Sequence, residues 1–160
     1  MTHKFGLAGI TSLLALAILT ACGGGGGGSV DTPPPSYVPR FAYVANLTDN
    51  TVSMYTLNAA TGQLRHNGHL ATGTAPRSVA VDPLGKFAYV ANDGTADVSG
   101  YTINSGTGML TAIDADGAVA GIQNFAAGFN PYSVTVDPTG KFAYVANATS
   151  DSISAYSINA

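Results

Sequence analysis

Phe41-Ala42-Tyr43-Val44-Ala45-Asn46 recurs without a change at Phe87 to Asn92 and at Phe142 to Asn147, and the residues around it recur with it. From Asn46–Leu64 to Asn92–Leu110 the offset is 46 residues, whereas the step from the second copy to the third is 55, because nine residues are inserted. A repeat of this size marks stacked supersecondary units. Within the hexapeptide, alternation sends Phe, Tyr and Ala to one face of a strand and Ala, Val and Asn to the other. Apolar character on both faces means a strand covered twice, as in sheets stacked face to face. The bulky face of one sheet can then fill the space left by the small face of its neighbour.

One complete unit reads as four strands between Pro76 and about Ile113: Ser78 to Val81, the repeated Phe87 to Ala91, Asp97 to Ile103, and a fourth starting at Met109. Asp82-Pro83-Leu84-Gly85 and Asp137-Pro138-Thr139-Gly140 place Asp first, Pro where φ is fixed and Gly where φ is positive, which predicts tight hairpins. Thr61-Gly62-Gln63 and Thr107-Gly108-Met109 mark the next reversal. The third strand keeps a Ser-Tyr-Leu/Ile face (Ser53, Tyr55, Leu57; Ser99, Tyr101, Ile103; Ser154, Tyr156, Ile158), while its other face drifts through Met54, Gly100 and Ala155. The constant face is expected against a neighbouring unit and the drifting face where contacts demand less.

Upstream, His3 and Lys4 precede an apolar run from Leu7 to Leu19, and Leu19-Thr20-Ala21-Cys22 closes it. This is an export signal too short to span a bilayer comfortably. Leu-Thr-Ala-Cys resembles the lipobox of bacterial lipoproteins, which implies cleavage after residue 21 and a lipid on Cys22; Gly23, rather than Asp, resembles outer-membrane sorting. Cys22 is the one cysteine, so no disulfide forms within the chain. Residues 22–39 then read as a tether of six glycines followed by Pro33-Pro34-Pro35, without the spaced glycines, lysine and helix of a phosphate cradle. Its reach is roughly 20 to 25 Å. The expected organisation is a signal over 1–21, a lipidated tether over 22–39 and the repeats over 40–160. Beyond the signal, Arg40, Arg65, Arg77, Lys86 and Lys141 stand against the nine acidic residues, all aspartates, which excludes a nucleic-acid partner.

Pro-x-Ser-Val-x-Val-Asp-Pro-x-Gly-Lys-Phe-Ala-Tyr-Val-Ala-Asn, at Pro76 to Asn92 and Pro131 to Asn147, resembles the blade repeat of the lactonase family of seven-bladed β-propellers, and YVTN-type surface repeats are similar. The resemblance implies an all-β fold of four-stranded antiparallel blades. Some members of that family hydrolyse 6-phosphogluconolactone, and many have no assigned chemistry. Strands here number three, four and three, about two and a half blades, where a propeller needs about four to eight. The expectation is a fragment of a longer reading frame, with ring closure by several copies as the alternative, and self-association through the open blade faces.

The resemblance points to the face formed by the fourth-to-first and second-to-third connections, which carries Arg77, Asn92, Asp93, Asp97, Tyr132, Asn147 and Asp151. Arg77 could hold an anion and a neighbouring Asp act as base, while the repeated Asn46, Asn92 and Asn147 are expected to bond loop backbones. Arg77 against Tyr132 is a difference between units, as a unique site requires. His66 and His69, three apart on a strand, lie on opposite faces unless a bulge intervenes, so no metal site is expected, and no cofactor. There is no Gly-x-Ser-x-Gly elbow, no second cysteine and no glutamate. Asn46-Leu47-Thr48 and Asn147-Ala148-Thr149 fit a glycosylation sequon but read as loop residues in a bacterial chain. The expected function is a membrane-anchored envelope scaffold binding a protein or glycan, the alternative a lactone hydrolase.

Overall fold

The computed structural model describes residues 40–113 and 124–159; residues 1–21, read above as a signal, and 22–39, read as a lipidated tether with Cys22, lie outside them. The regular structure is strand throughout: β1 (Phe41–Asn46), β2 (Thr51–Leu57), β3 (Leu64–Ala71), β4 (Pro76–Val81), β5 (Phe87–Asn92), β6 (Asp97–Ile103), β7 (Leu110–Ala112), β8 (Asn124–Ala126), β9 (Pro131–Val136), β10 (Phe142–Asn147) and β11 (Ser152–Ser157). They form three antiparallel sheets: β1-β2-β3, then β4-β5-β6-β7 with β8 also on β6, then β9-β10-β11. Three, four and three strands per blade are as the repeat predicts, except that the fourth strand of the second blade is in two pieces. β3 runs the length of β2, from Leu57↔Leu64 to Thr51↔Ala71. In the second blade the same edge is shared, with β7 pairing Tyr101 to Ile103 and β8 pairing Asp97 to Ser99. The nine-residue insertion thus interrupts an outer strand, where an edge tolerates it.

The turns follow their chemistry. Gly85 (φ 67°) and Gly140 (φ 71°) close the Asp-Pro-x-Gly hairpins in the left-handed region. Asp82 accepts from the backbone N–H groups of Leu84, Lys86 and Phe87, and Asp137 from those of Thr139, Lys141 and Phe142. At Asp137 a further bond from the Thr139 hydroxyl, with those backbone donors, outweighs desolvation and holds the carboxyl at about 2.

Large-into-small packing is the core. Tyr43 and Met54 of the first blade meet Val79, Ala88, Val90 and Tyr101 of the second, with Phe41 packed against the same cluster. Ala80, Tyr89, Ala91 and Val98 on the second blade's other face meet Val134 and Val145 of the third. The tyrosine of each third strand closes the junction: Tyr101 Oη donates to the carbonyl of Ala71 at 2.7 Å, and Tyr156 Oη to that of Ala126 at 2.7 Å. Both hold the outer strand of the preceding blade. The drifting face of that strand is also an inter-blade face, contrary to expectation. Met54 is buried in the first junction, and a Cβ at Gly100 would stand 2.9 Å from the Phe125 ring. Its identity varies because it complements an outer strand that itself differs between blades.

Two faces are left open. Phe142 and Tyr144, the large face of the third blade, are 44% and 40% exposed, and Ile153 beside them is exposed as well.

Candidate functional site

The second-to-third strand loop of the middle blade and the connection into the third blade bring three of the expected residues together. Arg77, on β4, donates through Nε to Asp93 Oδ2 at 2.7 Å, and its Nη2 lies 2.7 Å from the same oxygen. The guanidinium stands 5.0 Å from the centroid of the Tyr132 ring on β9. Asn130 of the third blade's entry donates its amide to the other oxygen, Asp93 Oδ1. Burial pushes the Asp93 carboxyl up, but the bonds from Asn130 and Arg77 and the Arg77 charge outweigh it and hold the carboxyl below its ordinary value. The group is therefore a clamp across two blades. An arginine committed to a carboxylate on one side and a ring on the other has little left for an anionic substrate, and a carboxylate of lowered pKa is a poor base.

Asn92, Asp97 and Asn147 serve the blades instead. Asn92 Nδ2 donates to Asp97 Oδ1 at 2.7 Å and to Ser99 Oγ at 2.8 Å; Asn46 and Asn147 make the matching bonds to Thr51 and Ser53 and to Ser152 and Ser154. Side chains of the adjacent strand, and not loop backbones, are their partners. The reason is the register, which sets each asparagine directly opposite the first residue of the third strand. Asp97 is further satisfied by Asn124 and Thr95. Asp151, in the left-handed region at φ 45°, lines an open hollow of about 620 Å³ with Tyr132, Ser133 and Asn147 on the uncovered side of the third blade. A second cavity, of about 520 Å³, lies between the second and third blades among Tyr89, Phe125 and Tyr156, and none of the expected site residues reaches it.

Sequence reasoning passed over three positions. Asn130 was legible as the polar replacement of Ala75 before the repeated proline, both at φ 54°. Phe129, 70% exposed beside it, stands where the preceding unit has Thr74. Gly73 and Gly128 recur at the 55-residue offset because a Cβ at either would come within 2.7 Å of the Asn92 or Asn147 amide. A fourth reading changes with the backbone: His69 pairs with Ser53 and His66 with Tyr55, across a register shift. That shift is the bulge whose absence would have put the two imidazoles on opposite faces.

The profile of the seven-bladed β-propeller Lactonase family matches residues 36–125, more than half of the chain. The chain belongs to this family. None of the curated proteins matches it significantly by sequence. Among solved structures, a candidate 6-phosphogluconolactonase from Bacteroides fragilis superposes with a TM-score of 0.65 at 22% identity, over 75% of this chain and 32% of its own. A protein from Lactobacillus plantarum gives 0.64 at 22%, over 75% and 35%. The periplasmic gluconolactonase of Pseudomonas aeruginosa gives 0.63 at 19%, over 75% and 33%. At such identities the likeness is one of fold. The chain spans about a third of the length of these propellers.

Proposed function

We propose that this lactonase-family chain belongs to an exported, lipid-anchored propeller that binds a protein or glycan at the bacterial envelope. The observation that carries this reading is the Arg77–Asp93–Tyr132 clamp, in which the groups best suited to hold an anion and take a proton are spent on one another. What the same region presents outward is aromatic surface, with Phe129 and Tyr132 exposed, the chemistry of sugar-ring stacking and protein contact. Co-sedimentation with peptidoglycan sacculi and with lipopolysaccharide tests it, with Phe129→Ala and Tyr132→Ala expected to weaken retention. Retention in neither, for wild type and variants alike, would remove the glycan arm and leave a protein ligand.

A second reading, lactone hydrolysis, is favoured by the family match and by the gluconolactonase of P. aeruginosa among the structural neighbours. Assay of 6-phosphogluconolactone and gluconolactone separates the two. The binding reading expects spontaneous rates with wild type and Arg77→Ala alike; turnover well above background that Arg77→Ala abolishes would replace it with the enzymatic one.

The anchor is part of the same proposal. Cys22 carries the lipid, at the outer membrane by the Gly23 sorting pattern, since stable attachment needs two or more acyl chains and a lipoprotein supplies them. Labelled palmitate is expected in the wild type and not in Cys22→Ala, and equal labelling of both would refute the anchor. The open blade faces are proposed as self-association surfaces, visible as a mass that rises with concentration in sedimentation equilibrium; a constant monomer mass would exclude this.

A further inference from the structure

We propose that His66 and His69 form a two-imidazole chelate for a first-row divalent transition ion, of the Zn²⁺ or Cu²⁺ class, on the outer strand of the first blade. Antiparallel partners share a face of the sheet. Ser53 and Tyr55, two apart on β2, share a face, so their partners His69 and His66 share it too. The extra residue that makes this possible is supplied at Asn67-Gly68, with Gly68 at φ 101°, where glycine alone is unstrained. The bulge is pinned from behind. Asn67 Nδ2 donates to the carbonyl of Thr107 in the second blade at 2.8 Å, and Gly68 sits over the Met54 side chain.

The imidazoles are therefore held on a positioned strand. Their centroids are 6.5 Å apart with planes inclined at 26°, and the Tyr55 ring meets His66 edge-on at 5.3 Å. An ion bonded tetrahedrally at about 2.1 Å to one nitrogen of each ring needs centroids roughly 5 to 5.5 Å apart. Closing by about 1 Å, and turning the stacked rings so that one nitrogen of each points at the ion, takes only side-chain torsions of two exposed residues. Among the described residues no group of three or more His, Cys, Asp or Glu gathers, so the protein supplies two ligands and the remaining positions stay with solvent or with a donor from whatever docks there. Borderline ions are the ones imidazole suits.

Titration of the full-length protein with ZnCl₂ by calorimetry, and with CuCl₂ by paramagnetic broadening of the histidine ring signals, tests the site. One ion per chain is expected, with His66→Ala and His69→Ala each weakening it about a hundredfold, because the second imidazole acts at high effective concentration. Gly68→Val keeps the histidines three apart but disfavours the φ of 101° that the bulge needs, so that strict alternation returns and sets the rings on opposite faces, and it is expected to weaken binding as much as either alanine. Should that variant unfold the chain, the broadening in the intact protein decides: simultaneous loss of the His66 and His69 signals at one equivalent of Cu²⁺ supports the chelate. Wild-type affinity in a single-alanine variant or in a folded Gly68→Val variant, or broadening centred on other residues, overturns it.

Discussion

Tyr101→Ala lowers the unfolding free energy by about 4 kcal/mol, the range for emptying a large aromatic site in a core. Tyr101 is fully buried between the first two blades, with burial pushing its phenol up to about 12, so that it remains a donor throughout the working pH range. The truncation removes the ring from the Tyr43, Met54 and Val90 cluster and frees the carbonyl of Ala71. Tyr101→Phe isolates the second part, expected at about 1 kcal/mol because that bond is only partly buried. Tyr55→Ala is the internal control: the same repeat position, on the open side of the first blade, half-exposed and expected to cost well under half as much. Urea midpoints at one protein concentration make the comparison. Equal losses at Tyr55 and Tyr101 would mean that the first and second blades do not stack.

Asn92→Ala is expected to cost about 3 kcal/mol and Asn46→Ala about 1, although the two residues occupy the same place in the repeat. Asn92 is fully buried and bonds a carboxylate and a hydroxyl, so its truncation leaves a void in the blade and removes one donor each from Asp97 and Ser99. Asn46 is half-exposed and bonds two hydroxyls that solvent can satisfy. Asn92→Asp keeps the shape and sets a second carboxylate against Asp97, so it should be destabilising at neutral pH and less so in mild acid, where one of the pair takes a proton. Tolerance of Asn92→Ala at the level of Asn46→Ala would show that the asparagine is not a structural tie.

Much of this was legible in the chain. Three copies of Phe-Ala-Tyr-Val-Ala-Asn, alternation with two apolar faces and Asp-Pro-x-Gly at a constant offset determine strand order, turn positions and the stacking of large faces on small ones. All of these follow from residues near one another in sequence, since a strand's period and a hairpin's φ angles are local properties.

What only the tertiary structure decided depends on two blades at once, or on one residue of register. Arg77 and Asp93 are 16 apart and Asp93 and Asn130 are 37 apart; neither spacing says that the three converge, because the convergence is made by stacking one sheet on the next. The partners of Asn46, Asn92 and Asn147 follow from cross-strand register. His66 and His69 are the sharpest case. Strict alternation separates them, and one additional residue at Asn67-Gly68, held by a bond to the neighbouring blade, unites them. With a side-chain period of two, a shift of one residue reverses a face, so a bulge that a distant contact stabilises is invisible to any local reading of the strand.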